Sequence, residues 1–258
     1  MKPMGIQKWN MHKDSKVQKV IAVMSGKGGV GKSLVTSLLA THLNRAGYRV
    51  GILDCDLTGP SIPEIFGMEE TAKGSEFSLY PNYTDDNIAL MSINLLLPNK
   101  LDPVIWRGPV LNNILQDFWT KIHWGILDVL LLDLPPGTGD VPLTIYQSFP
   151  MDGVIEVSTP SQMASVAVQK AYHMADRLNQ NILGEIHNMS YFICDQCEKK
   201  HLLFGELPPR DELERLGELP FDPKIGKAVD SGRIEEIHVP EMDPIVERIV
   251  DKLHIVKG

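Results

Sequence analysis

At 258 residues, with 43% hydrophobic and 22% charged side chains, the chain is long enough to bury a sizeable core as one large α/β domain or two small ones. A formal net charge of -8 argues against generic nucleic-acid or anionic-membrane partners, since both need basic surface. No apolar run approaches the ~18 to 20 residues of a membrane helix and the N-terminus lacks a signal-peptide core, so a cytoplasmic setting is expected. Three cysteines, which cannot all pair within one chain, fit a reducing compartment.

The first twenty residues carry five Lys and one Asp without periodicity, and residues 1–18 are expected to form a flexible basic tail before a domain over 19–258. The apolar run Val20–Met24 reads as a buried strand. It leads into Ser25-Gly26-Lys27-Gly28-Gly29-Val30-Gly31-Lys32-Ser33, a match to G-x-x-x-x-G-K-[ST], and then into a helical stripe of Leu34, Leu38, Leu39 and Leu43. Gly47 ends that helix, and Tyr48–Leu53 forms a second buried strand ending at Asp54-Cys55-Asp56. Leu57 to Pro63 reads as a loop at a strand's carboxyl end, where ligands sit in open α/β sheets. The polar stretch Glu69–Asn87 is expected to be a surface excursion, followed by a strand over Ile88–Ile93. Trp106-Arg107-Gly108-Pro109 introduces a helix running through Leu111, Ile114, Leu115 and Phe118. Val129–Asp133 is the strongest buried strand, followed by Val154–Val157, a helix from Gln162 to Leu178, and a strand over Ile182–Ile186. A final helix, Pro244–Leu253, carries Ile245, Ile249, Val250 and Leu253 on one face. Such alternation predicts a doubly wound, mostly parallel sheet with helices on both faces.

The strand–loop–helix context makes the glycine-rich loop a phosphate site. Its backbone N–H groups can cradle phosphates, joined by the positive end of the helix dipole. A merely flexible glycine-rich connection would not explain the Lys-Ser pair. Lys32 is expected to reach the β and γ phosphates and Ser33 to ligate magnesium. Asp133, ahead of Leu134-Pro135-Pro136-Gly137-Thr138-Gly139-Asp140, is placed to hold that ion through water rather than merely to cap its strand. Asp54 and Asp56 should point to opposite sides of an extended segment. Asp56 is the candidate for orienting the attacking water, and Asp54 for a magnesium-shell or structural role. Cys55 reads as a small buried residue. Lys27 is either solvated charge or a second cation for the phosphates of its own or a facing subunit.

The loop Gly26–Ser33 resembles the deviant Walker A of the MinD/ParA/nitrogenase-iron-protein class of P-loop ATPases (SIMIBI-type), in which the early lysine, here Lys27, reaches across a nucleotide-sandwich dimer. Within that class, Asp56-Leu57-Thr58-Gly59-Pro60-Ser61, Trp106–Pro109, Asp133–Asp140 and Asn188-Met189-Ser190-Tyr191-Phe192 resemble the Mrp/ApbC-type iron-sulfur cluster carriers. The resemblance runs from the first strand to the last helix. It implies a single P-loop ATPase domain with Gly26, Lys27, Gly28, Gly29, Val30, Gly31, Lys32 and Ser33 on the phosphates of ATP. Asn188 would then bond the adenine, with Pro220 to Asp222 lining the base pocket. With the readings above, the residues expected to hold Mg2+ are Ser33, Asp54 and Asp133.

By itself Cys194-Asp195-Gln196-Cys197 is half a metal site, a redox pair or coincidence. The resemblance makes it, within a segment at 188–205, half of a [4Fe-4S] site bridging a homodimer, since a four-thiolate cluster needs two more ligands than one chain offers. Two positions depart from the family pattern: Glu198, where glycine often follows the second cysteine, and His187, where an acidic residue is common. The leading expectation is a slowly hydrolysing ATPase that accepts a cluster from a scaffold donor and passes it to apo iron-sulfur proteins, without nucleic-acid or membrane partners. The alternatives are a zinc site in which His201 joins the cysteines, a MinD/ParA-like positioning ATPase, and a redox dithiol. The last usually needs its first cysteine at a helix N-terminus, whereas Tyr191–Ile193 looks extended.

Overall fold

The computed structural model describes residues 8–57, 59–96, 108–205 and 213–258; Thr58, Trp106 and Arg107, quoted above for their motifs, lie outside that range. Its strands are β1 (Lys16–Met24), β2 (Val50–Asp54), β3 (Asn82–Tyr83), β4 (Ala89–Met91), β5 (Ile126–Asp133), β6 (Gly153–Ser158), β7 (Ile182–Ile193), β8 (Lys200–Leu202) and β9 (Arg215–Pro220). The helices are α1 (Lys32–Arg45), α2 (Ile62–Ile65), α3 (Gly108–Lys121), α4 (Asp140–Ser148), α5 (Gln162–Arg177), α6 (Pro223–Asp230) and α7 (Met242–Leu253).

One sheet runs in the order β3-β4-β2-β5-β1-β6-β7-β8, with β9 also paired to β7. Among the described residues, only β3 and β8 are antiparallel to their neighbours, so the expected doubly wound, mostly parallel sheet is present. Its central strands are continuous apolar runs because both faces are covered. Ile21 and Val23 of β1 point into a cluster with Leu38, Leu39, Ile245 and Ile249 from α1 and α7. Ala22 and Met24 point the other way, toward Phe118, Trp119, Ile145 and Phe149 from α3, α4 and the turn after α4. This two-residue alternation divides the core into two layers, and each fully buried Leu, Ile or Phe contributes about 1.5–3 kcal/mol. Among the described residues, no helix is long and apolar enough to cross a membrane.

Residues 8–15, which the lysine-rich composition suggested as part of a flexible tail, lie against the domain. The Trp9 N–H donates to the Ser148 carbonyl (2.7 Å), its ring meets Phe149 at 5.7 Å, and Lys8 Nζ donates to the carbonyls of Tyr146 and Phe149. One half-buried tryptophan packed against the core outweighs the polarity around it. The expected excursion at 69–87 contains the short edge strand β3, and the strand expected over Ile182–Ile186 continues to Ile193.

The candidate nucleotide and cysteine sites

Lys32 opens α1 directly after Gly31, whose φ of 80° is left-handed and favours glycine. A Cβ on Gly31 would also lie 2.2 Å from the Asn188 amide nitrogen, and one on Gly26 would lie 2.3 Å from the Ala167 backbone on α5. The two glycines therefore let the loop lie flush against β7 and α5. Above it opens a cavity of about 570 Å³ lined by Gly28, Gly29, Val30, Gly31, Lys32, Ser33, Asp56 and Pro136, among others. Lys27 is exposed and is not among the cavity's lining residues.

Under the loop, parallel pairing of β2 with β5 sets Asp54 opposite Asp133. Both carboxylates are completely buried. Asp133 Oδ2 accepts from Lys32 Nζ (2.6 Å) and Ser33 Oγ (2.6 Å), and its Oδ1 accepts from Thr36 Oγ1 (2.7 Å). Asp54 accepts from the Asp56 N–H (3.1 Å) and Ser92 Oγ (3.1 Å). Burial first, then the negative charge of Asp133, push the Asp54 carboxyl up to about 8, against the opposing pull of Lys32. Cys55, between the two aspartates, is buried too, and burial pushes its thiol well above the usual range. Of the two aspartates, Asp56 lines the cavity and Asp54 does not. The oxygens of half-buried Ser33 and buried Asp56 on the cavity wall, above buried Asp133 and beside a glycine cradle, are hard-ligand chemistry that suits a magnesium–phosphate complex.

Strand β7 joins this loop to the cysteines. Asn188 Nδ2 donates to the Val30 carbonyl (3.0 Å), and Met189 then adopts a left-handed φ of 52° as the pairing with β9 shifts register between His187 and Tyr191. Beyond that kink, Tyr191–Ile193 pairs with β8 as a hairpin whose turn is Cys194-Asp195-Gln196-Cys197. The turn closes through the Cys194 N–H to the Lys199 carbonyl and the Glu198 N–H to the Cys194 carbonyl. Both thiols are free, Cys197 exposed and Cys194 half-buried. The N–H groups of Gln196 and Cys197, then the Cys197 thiol, hold the Cys194 thiol below its ordinary range, so no helix N-terminus is involved. Phe192, Ile193, Leu202, Leu203 and Phe204 surround the turn as exposed apolar side chains.

His201 stacks on Phe192 (ring centroids 4.9 Å apart). Among the described residues, neither three-residue grouping of potential metal ligands includes the cysteines, so His201 is not held within ligating distance of Cys194 and Cys197 as the zinc alternative expects. His187 is buried with Nε2 3.0 Å from Glu185 Oε2, so its departure from the family pattern is absorbed beneath the sheet. Glu198 holds a left-handed φ of 55°, which gives a physical reason for the glycine common there. Pro220 and Asp222 line a second cavity of about 610 Å³, together with Cys194 and Glu198, and Asp222 caps α6 by accepting from the Lys224 N–H. That cavity links the cysteine turn to the segment expected at the base, a juxtaposition set by the pairing of Tyr191 with Pro220. Sequence reasoning missed it because β9 and α6 were not recognised as elements, although Asp222-Pro223 is a readable helix start.

Residues 16–254 match the family model described as ParA, NUBPL iron-transfer P-loop NTPase. An iron-sulfur cluster carrier protein from Methanocaldococcus jannaschii is 44% identical over 93% of this chain and 86% of its own length. A cytosolic Fe-S cluster assembly factor Nubp2 homolog from Aedes aegypti is 38% identical over 94% of this chain and 99% of its own. Among solved structures, a nucleotide-binding protein from Archaeoglobus fulgidus, in complex with ADP, superposes with a TM-score of 0.76 at 42% identity, covering 87% of this chain and 90% of that one. With its strand, glycine loop, helix and second-strand carboxylate arranged in that fold, the chain belongs to the ParA/NUBPL iron-transfer family of P-loop NTPases.

Proposed function

We propose that this chain is an ATP-binding, slowly hydrolysing carrier that, as a homodimer, holds one bridging [4Fe-4S] cluster and passes it to apo iron-sulfur proteins. The observation that carries the reading is the hairpin turn presenting two free cysteines inside an apolar rim. One chain supplies two thiolates where a cluster takes four. A second copy related by a two-fold axis completes the set, and the exposed Phe192, Ile193 and Phe204 suit a surface that is covered part of the time. The carrier names of the relatives support delivery to recipient apo-proteins, and a scaffold is the donor in this reading. The cytoplasm is the compartment we assign, in line with the Aedes relative's name.

In the nucleotide site, a bound Mg2+ would supply charge neutralisation for the phosphates. Ser33 and Asp133 are the residues that would hold it, the latter through water, with Asp54 behind. For ATP to bind, Lys32 leaves Asp133 and turns toward the phosphates, while Gly26 to Gly31 offer their N–H groups. Asp56 orients the attacking water from the cavity wall. Lys27, exposed on the loop, extends toward the phosphates of the facing copy, and Asn188, Pro220 and Asp222 frame the adenine. The acidic surface and the cysteine turn favour this reading over a positioning ATPase that binds DNA or membranes. Anaerobic reconstitution should give about two iron atoms per chain, with loss of iron in both Cys194→Ser and Cys197→Ser; unchanged iron in both variants would refute the carrier reading.

A further inference from the structure

At the end of the sheet opposite the nucleotide cavity, three side chains far apart in sequence meet. His12 and Asp14 precede β1, and His123 precedes β5, its parallel neighbour. Ser15 fixes their approach, donating from Oγ to the Ile122 carbonyl (3.0 Å) and accepting from the Trp124 N–H (3.0 Å). Asp14 Oδ2 then lies 3.7 Å from His12 Nδ1 and 3.8 Å from His123 Nδ1. One ligand atom from each of the three residues lies within 4.8 Å of the others. The imidazoles overlap at a centroid distance of 3.6 Å, and Tyr80 stacks on His123 at 4.7 Å.

We propose that His12, Asp14 and His123 form a binding site for a Zn2+-class divalent ion, separate from both the nucleotide and the cysteine sites. Ligands about 2.0–2.1 Å from a tetrahedral ion stand about 3.4 Å apart, close to the 3.7 and 3.8 Å between Asp14 and the two imidazoles, and the overlapped rings would swing apart on metal binding so that both Nδ1 lone pairs meet at the ion. His123 Nε2 lies 3.1 Å from Ser78 Oγ, an outer partner that leaves Nδ1 to face the site. His12 Nδ1 gives up only a long contact, 3.3 Å, from the Asp14 N–H. Two imidazoles and one carboxylate select a borderline transition ion over Mg2+ or Ca2+, with water at the fourth position. The ion clips the lead-in segment to the turns before β5 and around Ser78. The other histidine grouping, His42, His238 and Asp243, does not qualify: both ring nitrogens of His42 are engaged, with the Leu38 carbonyl (2.8 Å) and the Val239 N–H (3.2 Å).

The test uses the full chain carrying Cys194→Ser and Cys197→Ser, so that thiolates do not compete, titrated with Zn2+ against a chromophoric chelator. Expected is one Zn2+ per chain, weakened on the order of tenfold or more by His12→Gln, His123→Gln or Asp14→Asn. Co2+ should show d–d absorption without a thiolate charge-transfer band. Zn2+ should raise the Tm of the Cys194→Ser/Cys197→Ser chain but not of its Asp14→Asn form. Asp14 is largely exposed, so that variant tests the site without risk to folding. Failure to take up one Zn2+ per chain, or affinity unchanged by Asp14→Asn or by both histidine variants, would overturn the proposal. Neither result bears on iron loading at Cys194 and Cys197, which is measured separately.

Discussion

Replacing Lys32 by alanine should unfold the protein more readily as well as empty it of ATP. The Lys32 ammonium is the cation bonded to Asp133, and Asp54 lies beside Asp133 in the same buried layer. Removing it leaves two buried carboxyl groups with only hydroxyl and N–H partners. Breaking one side of a buried pair costs about 3–5 kcal/mol, which at ~2–4 °C per kcal/mol for a domain of this size is a Tm drop of roughly 6–20 °C. The cost should grow with pH. Without Lys32 the one cation that opposes the raised Asp54 carboxyl is gone, so folding must retain a proton there that the unfolded chain releases above about pH 4. At pH 5 the loss should be small, and at pH 8 nearly complete. Adding Asp54→Asn to Lys32→Ala should recover a large part of it, because the amide keeps the Asp56 N–H bond and removes one charge. The assay is urea and thermal unfolding without nucleotide or Mg2+ at pH 5, 7 and 8, with ATP binding measured at a temperature where each variant is folded. Equal stability of Lys32→Ala and the parent at pH 8, within about 1 kcal/mol, would refute the idea that this lysine neutralises the buried carboxyl pair.

Three further outcomes are expected. In the parent protein Asp54, with its carboxyl raised to about 8, should make stability fall as pH rises from about 4 to 8, by up to about 1.4 kcal/mol per unit; Asp54→Asn should flatten that slope, and an unchanged slope in denaturant midpoints across this window would count against it. Glu198→Gly should stabilise the hairpin by about 1 kcal/mol by relieving a left-handed non-glycine residue, read as a higher Tm with the iron content retained. Asp56→Ala should bind ATP and lose turnover in a steady-state phosphate-release assay, whereas wild-type turnover would move the water-positioning role elsewhere.

The parts legible in the sequence were those governed by local pattern. Val20–Met24 and Val129–Leu132 are uninterrupted apolar runs because helices cover both faces of β1 and β5, and the loop after β1 carries its chemistry in fixed spacing. The parts that were not legible depend on tertiary seating. Strand β8, Lys-His-Leu, and strand β9, Arg-Leu-Gly-Glu-Leu-Pro, are short and partly exposed, so neither shows a clean alternation. Trp9 sat in a lysine-rich stretch that predicted mobility, and only its contact with Phe149 reveals the anchor. Likewise, nothing local joins His12 to His123; they meet because β1 and β5 are neighbours. The glycine that commonly follows the second cysteine was readable as a pattern, whereas its reason, the left-handed backbone at Glu198, needed coordinates.

Strand β7 begins in the core, passes under the glycine loop at Asn188 and ends at Ile193, immediately before Cys194, with no linker between. The cargo-bearing end and the nucleotide-bearing end are therefore one covalent ribbon rather than two modules. An engineer cannot graft the cysteine hairpin onto another ATPase as a cassette, because the graft boundary would fall inside the sheet and shift the register that seats Asn188. By the same reasoning, variation that retunes cargo without disturbing nucleotide binding is confined to the few residues past the Met189 kink.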